Sequence, residues 1–121
     1  MTRTGYYAPQ YIVPRSRDDG LPDLGRFANP AVLILSSLAD GDKHGYALIQ
    51  DIETFADVAL GPGTLYGALT RLERHGLIQA LAADQRRRPY RLTAAGAAAL
   101  SAYLQHARTV TTVGLRRLAG A

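Results

Sequence analysis

From residue 29 onward the apolar positions repeat with a helical period, switch to an extended one, and return to the helical one. "NPAVLILSSLAD" places Val32, Leu33, Leu35 and Leu38 on one broad face. Asn29 supplies an N-cap, and Pro30 suits the first helical position because it has no N–H to leave unpaired. "GDKHG" breaks the run. "YALIQDIETFA" then sets Leu48, Ile49, Ile52 and Phe55 at helical spacing. After "DVALGPG" a third helix, "PGTLYGALTRLERHG", turns Leu65, Ala68, Leu69 and Leu72 inward and stops at His75-Gly76, with Gly76 as the C′ residue. "LIQALAA" and "RPYRLT" read as short strands on either side of "DQRR", a two-stranded hairpin with a charged tip. Pro89 donates no ladder hydrogen bond, so its strand is expected at an edge or with that side toward solvent. Thr93 caps a last, long helix, "AAGAAALSAYLQHARTVTTVGLRRLAG".

Three helices, a hairpin and a further helix predict an α+β, mainly α fold: a winged helix-turn-helix with a two-stranded wing and a long C-terminal helix. In that layout the third helix enters a DNA major groove and the wing lies over the backbone. The expected divisions are an irregular N-terminal arm over 1–27, the winged domain over 28–93 and a dimerisation helix over 94–121. The arm is rich in Pro, Gly, Arg and Asp. Its Tyr6, Tyr7, Tyr11 and Ile12 suit docking on the body or a partner subunit, and suit a frayed tail equally.

Opposite its core stripe the third helix carries Gly63, Thr64, Tyr66, Gly67, Thr70, Arg71 and Arg74. An ordinary solvent face mixes Glu and Lys; this one offers small residues, hydroxyls, a polar-tipped aromatic and arginines. Gly61 and Pro62 start the helix with free N–H groups that form a phosphate site. Gly63 and Gly67 permit close backbone approach. Thr64, Tyr66 and Thr70 can bond phosphates or base edges, and Arg71 can fork onto guanine or phosphate.

Charge placement sharpens this reading. The chain has 121 residues and a formal net charge of +4. Six of its 14 basic side chains fall between residues 71 and 91, where the acids are Glu73 and Asp84. Arg86, Arg87 and Arg88 cluster at the hairpin tip, which suits a phosphate strand and makes binding salt-dependent. A single-stranded RNA module would present stacking aromatics on its sheet, whereas Tyr90 is the sole aromatic on either strand. Lys43 and His44, at the start of the second helix, are further candidates for phosphate. The length suits one domain with a modest core, the kind often helped by oligomerisation. The chain has no cysteine, hence no disulfide or thiolate metal site. The N-terminus lacks a secretory signal's apolar core, and no apolar run approaches a membrane span, so a cytoplasmic, nucleoid-associated protein with no membrane partner is expected.

"HGY" at 44–46, "PGTLYGALTRLERHGLI" and "RRRPYRLTAAG" together resemble the PadR family of transcriptional regulators, over residues 31 to about 100. The combination is specific where each motif alone is weak. The resemblance implies a homodimer on a pseudo-palindromic operator in double-stranded DNA, usually a repressor, with many members relieved by a small molecule or stress signal. It carries Thr64 and Tyr66 over as DNA-facing, Arg71 as the arginine of "RLE", and Arg86 to Arg88 as the basic wing. It makes His44, Gly45 and Tyr46 mainly structural, with Tyr46 in the core. One C-terminal helix places the chain in the small subgroup of the family. This sequence departs from the pattern at Gly67 (often proline), Thr70 (often arginine), Ala94 (often an acid) and Pro89, and its arm is longer than usual.

The last helix aligns Leu100, Tyr103, Leu104, Ala107, Val110 and Val113 along one side, with Leu118 further on. A second copy is expected to cover them. After Thr93 the chain has arginines but no acid, so acids from the arm or the other subunit are natural partners. For an effector there is no tryptophan to stack on. Tyr103, Phe27 and the arm tyrosines are the aromatic candidates, and packing is the ordinary role of each. No cofactor is expected. Asp40, Asp42 and His44 have the spacing of a metal site but read better as turn-formers. No serine or threonine has a recognisable base and orienting partner, which argues against an enzyme. The alternative function is a winged-helix protein-interaction module without specific DNA binding.

Overall fold

A computed structural model describes residues 29–120. The expectations for the arm, including Tyr6, Tyr7, Tyr11, Ile12 and Phe27, lie outside the described residues. The elements run α1 (Pro30–Leu38), β1 (Lys43–His44), α2 (Gly45–Ala56), α3 (Pro62–Arg74), β2 (Ile78–Ala80), β3 (Pro89–Leu92) and α4 (Ala94–Ala119).

Local chemistry starts and stops the helices, at Asn29, Gly76 and Thr93 as expected and at His44 in addition. The Asn29 side chain accepts from the Ala31 N–H at 2.8 Å. His44 caps α2 through Nδ1, which accepts from the Ala47 N–H at 3.4 Å. Gly76 takes φ 73°, and α3 closes with Gly76 N–H to Glu73 O and Leu77 N–H to Leu72 O, both 3.0 Å. Those two bonds form a Schellman cap, which needs a residue comfortable at positive φ. Thr93 caps α4 by accepting from the Gly96 N–H and donates to Gly76 O at 2.7 Å, so one hydroxyl ties the end of α3 to the start of α4.

A single core joins Ile34, Leu35 and Leu38 of α1 to Leu48 and Ile52 of α2, the whole inner stripe of α3, Ile78 of β2 and Leu100 of α4. Each fully buried Leu or Ile contributes about 1.5–3 kcal/mol. Phe55 departs from expectation: it is half-exposed, and Ala56, Val58 and Leu60 pack against the core at that end of α2 instead.

The wing differs from the expected two-stranded hairpin. The sheet has three antiparallel strands in the order β1-β3-β2. Lys43 and His44 pair with Tyr90 and Pro89, so β3 is central rather than at an edge. Pro89 is tolerated because it opens β3, where a missing donor breaks least. Its carbonyl still accepts from the Leu81 N–H at 2.9 Å. A two-residue strand inside "DKHG" is too short to show alternation, so the sequence reads there as a break.

Past Leu100 no residue of α4 is buried among the described residues. Leu100, expected at a dimer contact, is instead part of the domain's own core. Tyr103, Leu104, Val110, Leu115 and Leu118 are exposed, while Ala107 and Val113 are half-buried.

Candidate nucleic-acid interface

Helix α3 begins at Gly61 without a side-chain cap, and Pro62 occupies its first turn. The N–H groups of Gly63 and Thr64 therefore have no partner within the helix, and both residues are exposed. Among the described residues no atom stands within 4 Å of where a Cβ would project at Gly61 or Gly63, which leaves this turn open on that side. Further along, Tyr66 is half-exposed and Gly67 half-buried, with Thr70, Arg71 and Arg74 exposed on the same side. The Thr70 hydroxyl donates to Tyr66 O at 2.9 Å, leaving its lone pairs to solvent. The Arg71 side chain folds back over Gly67, where a Cβ would meet its Nη1 at 3.6 Å.

The wing tip is a tight turn in which Asp84 and Arg87 exchange backbone hydrogen bonds of 2.7 and 2.9 Å. Gln85 at φ 52° and Arg86 at φ 72° occupy its centre. Two positive φ values in succession are the mark of the type I′ hairpin turn, which matches strand twist but favours Asn and Gly. Arg88 reaches across to donate to Leu81 O at 3.1 Å, and Arg87 Nη1 approaches His44 Nε2 within 3.4 Å.

Folding thus brings part of the expected site together. His44, Gly45, Tyr46, Tyr66, Arg86, Arg87, Arg88 and Tyr90 line one open cleft of about 410 Å³ between α2, α3 and the wing. Burial pushes the Tyr90 phenol above its usual pKa, and the Glu73 carboxylate adds to the shift. Gly63, Thr64, Thr70 and Arg71 lie outside the cleft on the exposed length of α3.

One expectation fails here, and another candidate side chain is already engaged within the domain. Tyr46 is not in the core: it is 64% exposed at the mouth of the cleft, and its oxygen accepts from Gln50 Nε2 at 3.1 Å. At about 100° per residue it sits well off the stripe defined by Leu48, Ile49 and Ile52, so the helical period held the signal. Lys43 is not directed outward. Its ammonium donates to Ser37 O and to Asp40, with Asp51 at 4.0 Å. Asp51 also accepts from the buried Ser37 hydroxyl at 2.6 Å. This lysine holds the end of α1 to β1 and α2.

Arg91 forms a two-point pair with Asp42, Nε to Oδ1 at 3.2 Å and Nη2 to Oδ2 at 2.8 Å. That hydrogen bonding holds the Asp42 carboxyl below its usual range and raises Arg91. Asp40 is lowered in the same way by Lys43. Asp40, Asp42 and His44 are therefore held by three different partners. Among the described residues, ion pairs engage Lys43 and Arg91 but none of Arg71, Arg74, Arg86, Arg87 or Arg88.

A model of the transcriptional regulator PadR-like family matches residues 34–102, more than half of the chain. The chain belongs to the PadR-like family. It is 42% identical over 71 residues to a transcriptional regulator of Mycobacterium tuberculosis, a match covering 56% of this chain and 65% of that protein. It is 51% identical over 65 residues to an uncharacterized 37.1 kDa protein from a transposon of Streptomyces fradiae, covering 54% of this chain and 19% of that one. The match thus spans less than two thirds of either relative. A PadR family transcription regulator from Clostridium difficile has the same architecture, with a TM-score of 0.67 at 29% identity over 74% of this chain and 97% of that one. The family is one of transcriptional regulators. Among the described residues no helix is long and apolar enough to cross a membrane.

Proposed function

We propose that this PadR-like chain is a homodimeric, sequence-specific DNA-binding repressor. One observation carries the reading: the N-terminal turn of α3, with no cap from a side chain, and its polar face adjoin a cleft rimmed by three arginines that no acid among the described residues pairs with. The α3 face, with Gly63, Thr64, Tyr66, Gly67, Thr70 and Arg71, enters the major groove. His44 and Arg86 to Arg88 grip the flanking phosphates. Lys43, engaged within the domain, has no part in this contact, and Tyr46 joins it from the rim of the cleft. The winged domain over 28–93 reads DNA, and the helix over 94–121 pairs two copies through Tyr103, Leu104, Ala107 and Val110. Val113 is turned about 180° around the helix from Leu104 and about 60° from Val110, at the margin of that stripe. Two copies present recognition helices to a pseudo-palindrome whose half-sites are about one DNA turn apart. A small molecule or stress signal that alters the helix pairing releases the operator, and the protein works at the nucleoid.

The test is a titration of the full chain against a duplex enriched by it from a randomised pool, repeated across salt concentrations. Specific binding is expected, with log affinity falling linearly in log salt and the slope reduced by about 0.9 for each phosphate-contacting arginine removed. Weak binding that ignores sequence would instead favour the protein-interaction module.

A further inference from the structure

We infer that Gly45 is a positioning residue for DNA recognition: its missing Cβ lets Tyr66 of α3 lay its hydroxyl on the first turn of α2, inside the arginine-rimmed cleft. This rests on the DNA-binding reading above. Gly45 is the first residue of α2 and is buried. Among the described glycines positive φ is confined to Gly41 and Gly76, so the Gly45 backbone is one any residue adopts. A side chain there would have to displace its neighbour. A Cβ at Gly45 would overlap the Tyr66 hydroxyl and lie 2.8 Å from Cζ and 3.3 Å from Cε1. The other glycines beside the recognition face differ: Gly61 and Gly63 face open space, and Gly67 would make only an ordinary contact.

The arrangement links two separate sequence motifs. The glycine of "HGY" exists to seat the tyrosine of "PGTLY". Tyr66 remains 50% exposed, so one side of its ring rests on α2 while the rest is presented to the cleft. His44, the preceding residue, caps the same turn and meets Arg87 of the wing. The first turn of α2 is therefore the common seat of the α3 tyrosine and a wing arginine. A side chain already held in its bound direction loses little freedom on binding. Any residue larger than glycine at 45 swings the ring outward and forfeits that advantage.

The test is a cycle of Gly45→Ala, Tyr66→Ala and the double variant. Each is titrated against a duplex enriched by the wild-type protein from a randomised pool. Gly45→Ala is expected to weaken binding about three- to tenfold. In the Tyr66→Ala background the same change should cost nothing further, because the clash is gone. Melting temperature should behave likewise, falling for Gly45→Ala only when Tyr66 is present. An equal loss in both backgrounds, or unimpaired binding by Gly45→Ala, overturns the proposal. A readout without DNA separates it from the wider reading: in the free protein labelled at tyrosine Cζ, the Tyr66 resonance, assigned with Tyr66→Phe, should move most in Gly45→Ala. An unmoved resonance overturns the proposal whatever the duplex data show. A wild-type protein that enriches no duplex defeats the DNA-binding reading instead, while the resonance still reports whether Gly45 seats the ring.

Discussion

Arg86 holds φ 72° at the wing tip, a region that costs a residue with a side chain about 1–2 kcal/mol. Glycine would turn there without strain; in the proposed function the arginine's charge on a phosphate offsets that cost. Arg86→Gly should raise stability by about 0.5–1 kcal/mol in denaturant titration while reducing the salt slope of duplex binding by about 0.9. A variant that gains stability and keeps the full slope would remove Arg86 from the phosphate contact. Asp42 makes a pH-dependent contribution nearby. Its folded pKa lies below its unfolded one because Arg91 hydrogen-bonds the carboxylate. The pair's stabilisation is therefore complete above the unfolded value and is lost as pH falls through the folded one. Asp42→Asn should lower the melting temperature slightly at neutral pH, and the gap to wild type should close in strong acid. At this scale residue type was enough to pick out Tyr66 and the arginine run, which the fold brings to one cleft. Residue type misled where direction depends on distant neighbours. Lys43 turns inward because Ser37, Asp40 and Asp51 await it, and nothing within "GDKHG" announces Ser37 or Asp51.

Among the elements, the helices were written in the sequence because each carries a full apolar period, with Asn29, Gly76 and Thr93 marking ends of α1, α3 and α4. The third strand was not, since two residues cannot display alternation and their pairing with β3 joins positions 43 and 90. Gly96 was equally hidden. It reads as a weak residue in a helix, yet a Cβ there would overlap the Leu77 carbonyl oxygen and lie 2.8 Å from Leu92 Cδ1. The obstacle is backbone, which cannot step aside as the Tyr66 side chain can. Helix α4 is thereby seated against the α3–β2 connection, with Thr93 fixing its start. Gly96→Ala should destabilise the domain by about 1–3 kcal/mol despite the better helix propensity of alanine. Gly114→Ala, with nothing within 4 Å, serves as the control. It should stabilise an unpaired α4 by up to about 1 kcal/mol. Thermal melts of the two variants distinguish a packing glycine from a permissive one.

For the whole molecule, the unbalanced feature is α4: 26 residues, about 39 Å long, with Leu118 75% exposed and Leu115 63% exposed. A second copy covers this stripe by a two-fold contact in the proposed dimer. Leu104→Glu should then convert the dimer to monomer in sedimentation, make the melting temperature independent of concentration, and weaken duplex binding by more than tenfold as the second half-site is lost. Salt supplies an independent check because the two associations carry opposite charge logic. Each α4 contributes Arg108, Arg116 and Arg117 and no acid, so two copies bring like charges together around an apolar seam. Screening relieves that repulsion, and the dimer should tighten as salt rises over the range in which DNA affinity falls. Measuring the dimer constant and the duplex affinity in the same salt series separates the two effects. A dimer that loosens with salt would mean that opposite charges meet at the seam. Acids outside α4, of the arm or of the winged domain, would then be the ones to replace, since α4 itself has none to offer.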